Sequence, residues 1–201
     1  MQNKYKMIDE TKTLPSGTLL HRIQALKDFA GIREGDLGGW VESYSNLSQH
    51  GAAWVFEDAK VYESAEVCGN ALVFGNAEVF GNAEVYGNAK VYESAEVCGN
   101  AEVFGNAEVF GNAEVFGNAE VYESAEVCGN AKVYEYAEVY GYTKVYGYTK
   151  VCENAKVYGN ANVYGNAWVH GNANVYGNAW VFGDVEVYGN AEVHEYTKVY
   201  Y

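Results

Sequence analysis

Hydrophobic positions recur with a period of six residues through most of the chain. From Val55 to Val199, valine occupies every sixth position, 25 times without a gap, and the hexads read V-[FYCH]-[GE]-[NSYD]-A-x. A period of six is a multiple of two and not of 3.6, so it predicts β-strands and excludes an amphipathic helix. Gly-Asn pairs in most hexads predict a turn in each one.

The alternation within a hexad assigns its residues to two sides of a strand. Alanine and valine share one side, whereas the x residue and the residue after valine share the other. Because x is mostly Glu or Lys, its side must face water. We therefore expect Val and Ala to form the core and the aromatic residues after valine to point outward. Thr143, Thr149, Val185 and Thr197 replace the inward Ala.

The hexad resembles the hexapeptide repeat of left-handed parallel β-helices, over about three quarters of the chain. This resemblance implies an all-β fold, a triangular prism with three hexads, 18 residues, in each coil. The 24 hexads between Val55 and Lys198 then form eight regular coils. At roughly 4.8 Å per coil the rod is ~40 Å long.

Residues 1–54 depart from the hexad and predict a separate module. Two strand-like runs, YKMIDETKTL and TLLHRIQAL, flank Pro15-Ser16-Gly17 and predict a β-hairpin. A solenoid needs a cover on its first coil, because an open coil exposes a strand edge and the core. We therefore divide the chain into an N-terminal hairpin cap with an irregular first coil, 1–54, and a β-solenoid, 55–201.

The N-terminal module also resembles that of a known group of proteins. The segments LHRIQALKDF, GDLGGWVE and NLSQHGAAWV are similar to those of uncharacterised bacterial and phage hexapeptide-repeat proteins. Some of these proteins are named acetyltransferases on fold alone. The resemblance covers the whole chain and implies a capped solenoid, but it implies no catalytic residues.

The charge of the chain restricts its partners. The 13 basic and 27 acidic residues give a net charge of −14, which argues against a nucleic-acid partner. No apolar run reaches the roughly 18–20 residues that span a bilayer, and the first residues lack the apolar core of a secretory signal. The four cysteines, spread over three faces, predict free thiols. We expect a cytoplasmic protein that binds neither nucleic acid nor membrane.

An acyltransferase is the alternative function that the hexad suggests. Hexapeptide-repeat acyltransferases usually act as trimers, with a catalytic His beside a protruding loop. No loop interrupts the 24 hexads, and His170 and His194 occupy outward aromatic positions on different faces. His50, in an irregular insertion, is the only His that we would test, and a role in the cap is favoured for it. We therefore predict no catalytic residue and no cofactor.

The outward columns are the candidate functional surface. The longest aromatic column is predicted to contain Tyr86, Phe104, Tyr122, Tyr140, Tyr158 and Tyr176, flanked by Cys68 and His194. Another runs through Phe56, Phe74, Tyr92, Phe110, Cys128, Tyr146, Tyr164, Phe182 and Tyr200. Stacking that supports the rod explains these columns, and a partner surface is the second interpretation.

Two further surfaces complete the prediction. Five glutamates in successive coils, Glu66, Glu84, Glu102, Glu120 and Glu138, form a row that is either a solvated acidic face or the ligands of a divalent cation. Tyr200 and Tyr201 lie on the last coil, whose unpaired edge predicts pairing with another copy. We accordingly expect a non-enzymatic structural or interaction scaffold that self-associates into a homo-oligomer. A 30-residue duplication, 61–90 and 91–120, shifts copies to other faces and favours a scaffold that uses no particular face.

Overall fold

The computed structural model of the protein describes residues 3–195 and 197–200, and these residues form 28 strands. The first three are β1 (Tyr5–Thr13), β2 (Leu19–Ala25) and β3 (Leu37–Val41). The others are β4 (Trp54–Val55), β5 (Lys60–Val61), β6 (Glu66–Val67), β7 (Leu72–Val73), β8 (Glu78–Val79), β9 (Glu84–Val85), β10 (Lys90–Val91), β11 (Glu96–Val97), β12 (Glu102–Val103), β13 (Glu108–Val109), β14 (Glu114–Val115), β15 (Glu120–Val121), β16 (Glu126–Val127), β17 (Lys132–Val133), β18 (Glu138–Val139), β19 (Lys144–Val145), β20 (Lys150–Val151), β21 (Lys156–Val157), β22 (Asn162–Gly165), β23 (Trp168–Val169), β24 (Asn174–Val175), β25 (Trp180–Gly183), β26 (Glu186–Val187), β27 (Glu192–Val193) and β28 (Lys198–Tyr200). Within the described residues, no helix has the length and hydrophobicity needed to span a membrane.

The solenoid strands pair in parallel with the strand 18 residues further along the chain. Glu102, for example, lies between Glu84 and Glu120 in neighbouring coils. The strands form three sheets, which we call the hairpin sheet (β1-β2-β3-β5-β8-β11-β14-β17-β20-β23-β26), the nine-stranded sheet (β4 to β28) and the eight-stranded sheet (β6 to β27). The predicted coil of three hexads is confirmed, because each hexad forms one strand and three successive hexads place their strands in the three different sheets.

Valine and alanine fill the interior, as the alternation predicts. Every hexad valine from Val55 to Val181 is fully buried, and so are the alanines that precede these strands. Removing each valine side chain from water contributes roughly 1.5–2 kcal/mol. Thr143 and Thr149, which replace Ala, are buried at the same inward position. The core is therefore one continuous column of small branched and methyl side chains.

The corners between the sheets use left-handed backbone. Gly111 has a φ of +78°, and a Cβ added to it would lie 2.8 Å from the backbone nitrogen of Gly129 in the next coil. Seven glutamates occupy the same corner position with φ between 54° and 62°. At Glu57 a compensating contact is visible, because its carboxylate accepts a hydrogen bond of 2.8 Å from the N–H of Gly75. Glycine suits this position because it adopts left-handed backbone without strain. Glutamate at this position can form a hydrogen bond to the next coil, as Glu57 does.

The predicted hairpin cap is confirmed and forms part of one sheet of the solenoid. Strands β1 and β2 are antiparallel, β2 is antiparallel to β3, and β3 pairs in parallel with β5. Tyr5 and Ile23 of the hairpin are fully buried in the same cluster as Trp54. The Tyr5 hydroxyl donates to the Leu47 carbonyl at 2.7 Å. The hairpin therefore closes the N-terminal end of the core.

A buried lysine anchors the beginning of the cap. Lys4 is 1% exposed, and its Nζ donates to the Ala53 carbonyl at 2.7 Å. Burial, with a smaller effect of nearby Lys27, lowers the pKa of Lys4 to about 8. The imperfect hexads at Val41 and Leu47 pair with Val61 and Val67, and so form the irregular first coil beneath this cap.

Deleting one whole coil should leave a folded, shorter rod. Removal of residues 91–108 keeps the hexad phase and leaves each later residue in its own sheet. The deletion therefore removes only the contribution of one coil to the free energy of unfolding. Removal of residues 91–105 instead places Asn side chains such as Asn106 and aromatic rings such as Phe110 at the inward positions. We expect cooperative thermal unfolding by circular dichroism for the first variant and none for the second. Equal behaviour of the two variants would contradict the 18-residue register.

The two buried threonines provide a matched pair for measuring an unsatisfied hydroxyl. The Thr149 hydroxyl donates to the Tyr146 carbonyl at 2.7 Å, whereas the buried Thr143 hydroxyl has no hydrogen-bond partner. Since Ala is the usual residue here, we expect Thr143→Ala to raise the free energy of unfolding by about 1 kcal/mol. Thr149→Ala should give no increase. Denaturant unfolding measures both, and equal gains would show that the unsatisfied hydroxyl has no cost.

Candidate interaction surface

The predicted aromatic column on the eight-stranded sheet is a continuous stack of rings. From Tyr86 to Tyr176, successive ring centroids are 4.7 to 5.0 Å apart and the planes differ by 2° to 6°. The His194 ring continues the stack at 5.3 Å from Tyr176. The rings contact each other through their faces, so mainly their edges are presented to solvent. The small plane angles also show that this column runs straight.

The nine-stranded sheet carries the second predicted column. From Phe74 to Phe110 and from Tyr146 to Tyr200, its rings stack at 4.7 to 5.2 Å in two runs that are separated by Cys128. Tyr200 ends this stack and is 59% exposed. Tyr201 lies outside the described residues. Both columns therefore have the composition that the period predicts, and stacking between coils supports each of them.

The cysteines lie on the faces that the period assigns to them. Cys68 is on the eight-stranded sheet, Cys128 on the nine-stranded sheet, and Cys98 and Cys152 on the hairpin sheet. All four are free. Burial, followed by the neighbouring Glu96 and Glu114, raises the pKa of the Cys98 thiol to about 11, so this group is a thiol at neutral pH.

A bond between outward columns, which the sequence analysis missed, fixes many of the tyrosine hydroxyls. The Tyr86 hydroxyl donates to Glu102 at 2.8 Å, and the Tyr122 hydroxyl donates to Glu138 at 3.2 Å. In each case the glutamate lies 16 residues after the tyrosine, in the next coil and in the adjacent outward column. The same offset joins Tyr62 to Glu78, Tyr92 to Glu108, Tyr176 to Glu192 and His170 to Glu186. A Tyr or His followed 16 residues later by Glu was the available sequence signal.

Charged side chains that stack with opposite sign form ion pairs. Lys90 contacts Glu108 at 2.8 Å, and Lys156 contacts Glu138 at 2.6 Å. Three other pairs have the same 18-residue offset: Lys60 with Glu78, Glu114 with Lys132 and Glu126 with Lys144. Each is partly exposed, so each contributes at most about 1 kcal/mol.

The predicted glutamate row is present on the eight-stranded sheet. Glu66, Glu84, Glu102, Glu120 and Glu138 occupy successive coils and are followed by Lys156. Burial and then the flanking carboxylates raise the pKa of Glu120, as the like charges predict. Within the described residues, no group of three or more His, Cys, Asp or Glu side chains is placed to hold a metal ion. Binding of a divalent cation remains a prediction.

The histidines are dispersed over the molecule. His170 stacks near Trp168 and Tyr188, and its Nε2 lies 2.8 Å from the Glu186 carboxylate. His170 and His194 lie on different sheets, as the hexad count predicts. His50 is exposed, and its backbone N–H donates to the Ser48 hydroxyl at 3.1 Å. His21 lies on β2, opposite Val41. The fold does not bring these four side chains together.

Three corner tyrosines are the most exposed rings among the described residues. Tyr136, Tyr142 and Tyr148 are 63%, 73% and 67% exposed. They follow one another in adjacent hexads and therefore occupy the three corners of a single coil. Most hexads have Asn here, and stacked Asn side chains such as Asn100 and Asn118 are hydrogen bonded at 2.9 Å. The sequence analysis missed these tyrosines, although Tyr in place of the usual Asn was the available signal.

Comparison with known proteins identifies a repeat of the same kind in one coil. The family model described as the YdcK β-solenoid repeat matches residues 155–171. No curated protein matches the chain. The matched segment spans strands β21, β22 and β23, one from each sheet, so the similarity supports a β-solenoid repeat protein.

Tyrosine ionisation should destabilise the rod at high pH. Partial burial and then the Glu102 hydrogen bond raise the pKa of Tyr86 above its ordinary value near 10, and Tyr62 and Tyr92 are raised in the same way by their own glutamates. The neutral hydroxyl is therefore favoured in the folded state. This stabilisation is complete below pH 10 and is lost as the pH rises towards the folded pKa values. We expect the melting temperature to fall above pH 10.

The tyrosinate absorbance of single variants tests the assignment. Glu102→Gln should make one tyrosine of the folded protein ionise at lower pH than in wild type. Glu66→Gln, in the same row but without a tyrosine hydroxyl as donor, is the control. If both variants leave the absorbance titration unchanged, the tyrosine-glutamate bond does not determine the pKa.

Proposed function

We propose that this chain is a non-enzymatic structural scaffold that self-associates side by side through a flat face of the solenoid. The observation that carries the proposal is the straightness of the outer columns. Neighbouring stacked rings deviate from parallel by 6° or less from Tyr86 to Tyr176 on the eight-stranded sheet, and from Phe74 to Phe110 and Tyr146 to Phe182 on the nine-stranded sheet. A second rod can therefore follow the same columns along its length and repeat one contact at every coil.

The size of one face is consistent with such a contact. Eight coils at about 4.8 Å, with a face about 16 Å wide, present roughly 600 Å² on each partner. Pairing two faces buries roughly 1,200 Å² in total, which is the lower end of the range for specific interfaces. The exposed ring edges supply apolar area for this contact.

Charge determines which faces can meet. With a net charge of −14, two copies repel each other unless positive and negative positions oppose each other across the contact. The glutamate row makes the eight-stranded sheet a poor surface for contact with itself. Self-association of this chain therefore requires a face that carries both lysines and glutamates, so that opposite charges can meet across the contact.

Sedimentation equilibrium tests the proposal. We expect a mass of about 44 kDa, twice the chain mass of 22.1 kDa, at micromolar concentrations and moderate salt. A 22.1 kDa species at all concentrations up to 100 μM would overturn self-association. Calorimetry with acetyl-coenzyme A tests the non-enzymatic part, since saturable binding would favour the acyltransferase alternative. Small-angle scattering separates a thicker particle from a longer one.

A further inference from the structure

The aromatic column of the eight-stranded sheet contains an unbroken run of phenol rings. Tyr122, Tyr140, Tyr158 and Tyr176 stack in successive coils, with ring centroids 4.7 to 5.0 Å apart and neighbouring planes within 6° of parallel. The phenol of tyrosine is one of the few protein side chains that can lose a single electron. The run is therefore a chain of oxidisable groups in face-to-face contact.

The spacing of the rings suits the passage of an electron from one to the next. The rate of electron transfer falls exponentially with the distance between donor and acceptor, so several short steps are faster than one long step. Tyr122 and Tyr176 are three coils apart, ~14 Å. The two rings between them divide this distance into three steps between contacting rings. Backbone pairing of the coils fixes the spacing of these steps.

Oxidation of a phenol also requires an acceptor for its proton, and two rings of the run have one. The Tyr122 hydroxyl donates to the Glu138 carboxylate at 3.2 Å, and the Tyr176 hydroxyl donates to the Glu192 carboxylate at 3.5 Å. The bond at Tyr122 is the shorter, so proton transfer to the carboxylate is favoured there. The phenoxyl radical of the run is therefore most stable at Tyr122.

The two middle rings of the run have no carboxylate at the equivalent position. Tyr140 and Tyr158 are followed 16 residues later by Lys156 and Asn174, which are not bases that can take a phenol proton. Both rings are partly exposed, so water can take it instead. The ion pair of Lys156 with Glu138 is partly exposed and opposes protonation of Glu138 only weakly. The middle rings therefore suit the role of relays between the two ends.

We propose that this tyrosine run carries an oxidising equivalent along the rod, from Tyr176 to Tyr122. The reaction partner is a one-electron oxidant strong enough to oxidise a phenol, such as the ferryl haem of a peroxidase. The transfer takes place within one chain, so it is independent of the proposed self-association.

Electrons and protons balance in every step. The oxidant takes one electron from Tyr176, whose hydroxyl proton passes to Glu192, and a neutral phenoxyl radical remains. An electron then moves to this radical from the neighbouring ring. The reduced phenol takes its proton back, while the newly oxidised phenol releases its own proton to water. In the last step Tyr122 supplies the electron, its O–H bond breaks, and Glu138 receives the proton.

A photo-oxidant fixed at one end of the run tests the proposal. The His194 ring stacks on Tyr176 at 5.3 Å and is partly exposed, so a ruthenium bis(bipyridine) imidazole complex can be coordinated to its ring nitrogen. The substitutions His21→Gln, His50→Gln and His170→Phe remove the other three histidines and leave one attachment site. Generation of Ru(III) by flash-quench then starts the oxidation beside Tyr176.

An isotopically distinct tyrosine identifies the radical at the far end. 3-Fluorotyrosine in place of Tyr122 gives a phenoxyl radical with fluorine hyperfine splitting, which the radicals of ordinary tyrosines lack. We expect electron paramagnetic resonance of freeze-trapped samples to show this split signal. Its yield for each flash should not change with protein concentration, because the transfer takes place within one chain.

Phenylalanine substitutions interrupt the run without removing its stacking. The double variant Tyr140→Phe, Tyr158→Phe keeps both rings but removes the two oxidisable relays, so the fluorine-split signal should fall at least tenfold. The double variant Tyr146→Phe, Tyr164→Phe makes the same change in the stack of the nine-stranded sheet and should leave the signal unchanged. Circular dichroism melting verifies that both double variants keep the fold.

Glu138→Gln tests the proton acceptor. An amide cannot hold the phenol proton, so the yield of the radical at position 122 should fall severalfold while the rings remain stacked. Glu120→Gln is the matched control, because Glu120 lies in the same row and the residue 16 positions before it is Phe104, which has no hydroxyl. Equal yields in the two variants would show that Glu138 is not the acceptor.

The remaining outcomes decide the proposal as a whole. Absence of the fluorine-split signal would overturn it. A signal of full size in the Tyr140→Phe, Tyr158→Phe variant would also contradict it, because the radical would then reach position 122 without the relays. A yield that rises with protein concentration would show transfer between molecules instead. The mass measured by sedimentation does not enter this test, so the proposed self-association is decided separately.

Discussion

The parallel pairing of each strand with the strand 18 residues later is the constraint on which the rest of the structure depends. Backbone hydrogen bonds between coils hold every residue directly above its equivalent, at the spacing seen between stacked rings. One inward valine and one inward alanine in each hexad then suffice to fill the core. The same register determines what every outward side chain contacts, so surface chemistry and backbone pairing are inseparable in this fold.

This register makes the surface a set of columns in which like residues meet. Aromatic rings gain contact with their neighbours, and asparagines form ladders at the corners, as between Asn100 and Asn118. Glutamates repel each other, and burial followed by this repulsion raises the pKa of Glu120. Lysines one coil away in the same column and tyrosine hydroxyls 16 residues earlier relieve part of this repulsion, as Lys156 and Tyr122 do at Glu138. The rod therefore satisfies much of its outer surface internally.

The sequence by itself determined the strand period, the inward Val and Ala, the hairpin about Pro15-Ser16-Gly17 and the membership of each outer column. These follow from local periodicity, because an uninterrupted repeat leaves a single register. Only the tertiary structure decided that the hairpin joins one particular sheet and that the Tyr86 hydroxyl reaches Glu102. It also decided that corner glutamates such as Glu93 adopt left-handed backbone and that Tyr142 is exposed at a corner. The physical reason is that the sequence period gives only the position of a residue within its coil. These features depend also on the direction in which side chains point and on the distance between adjacent columns.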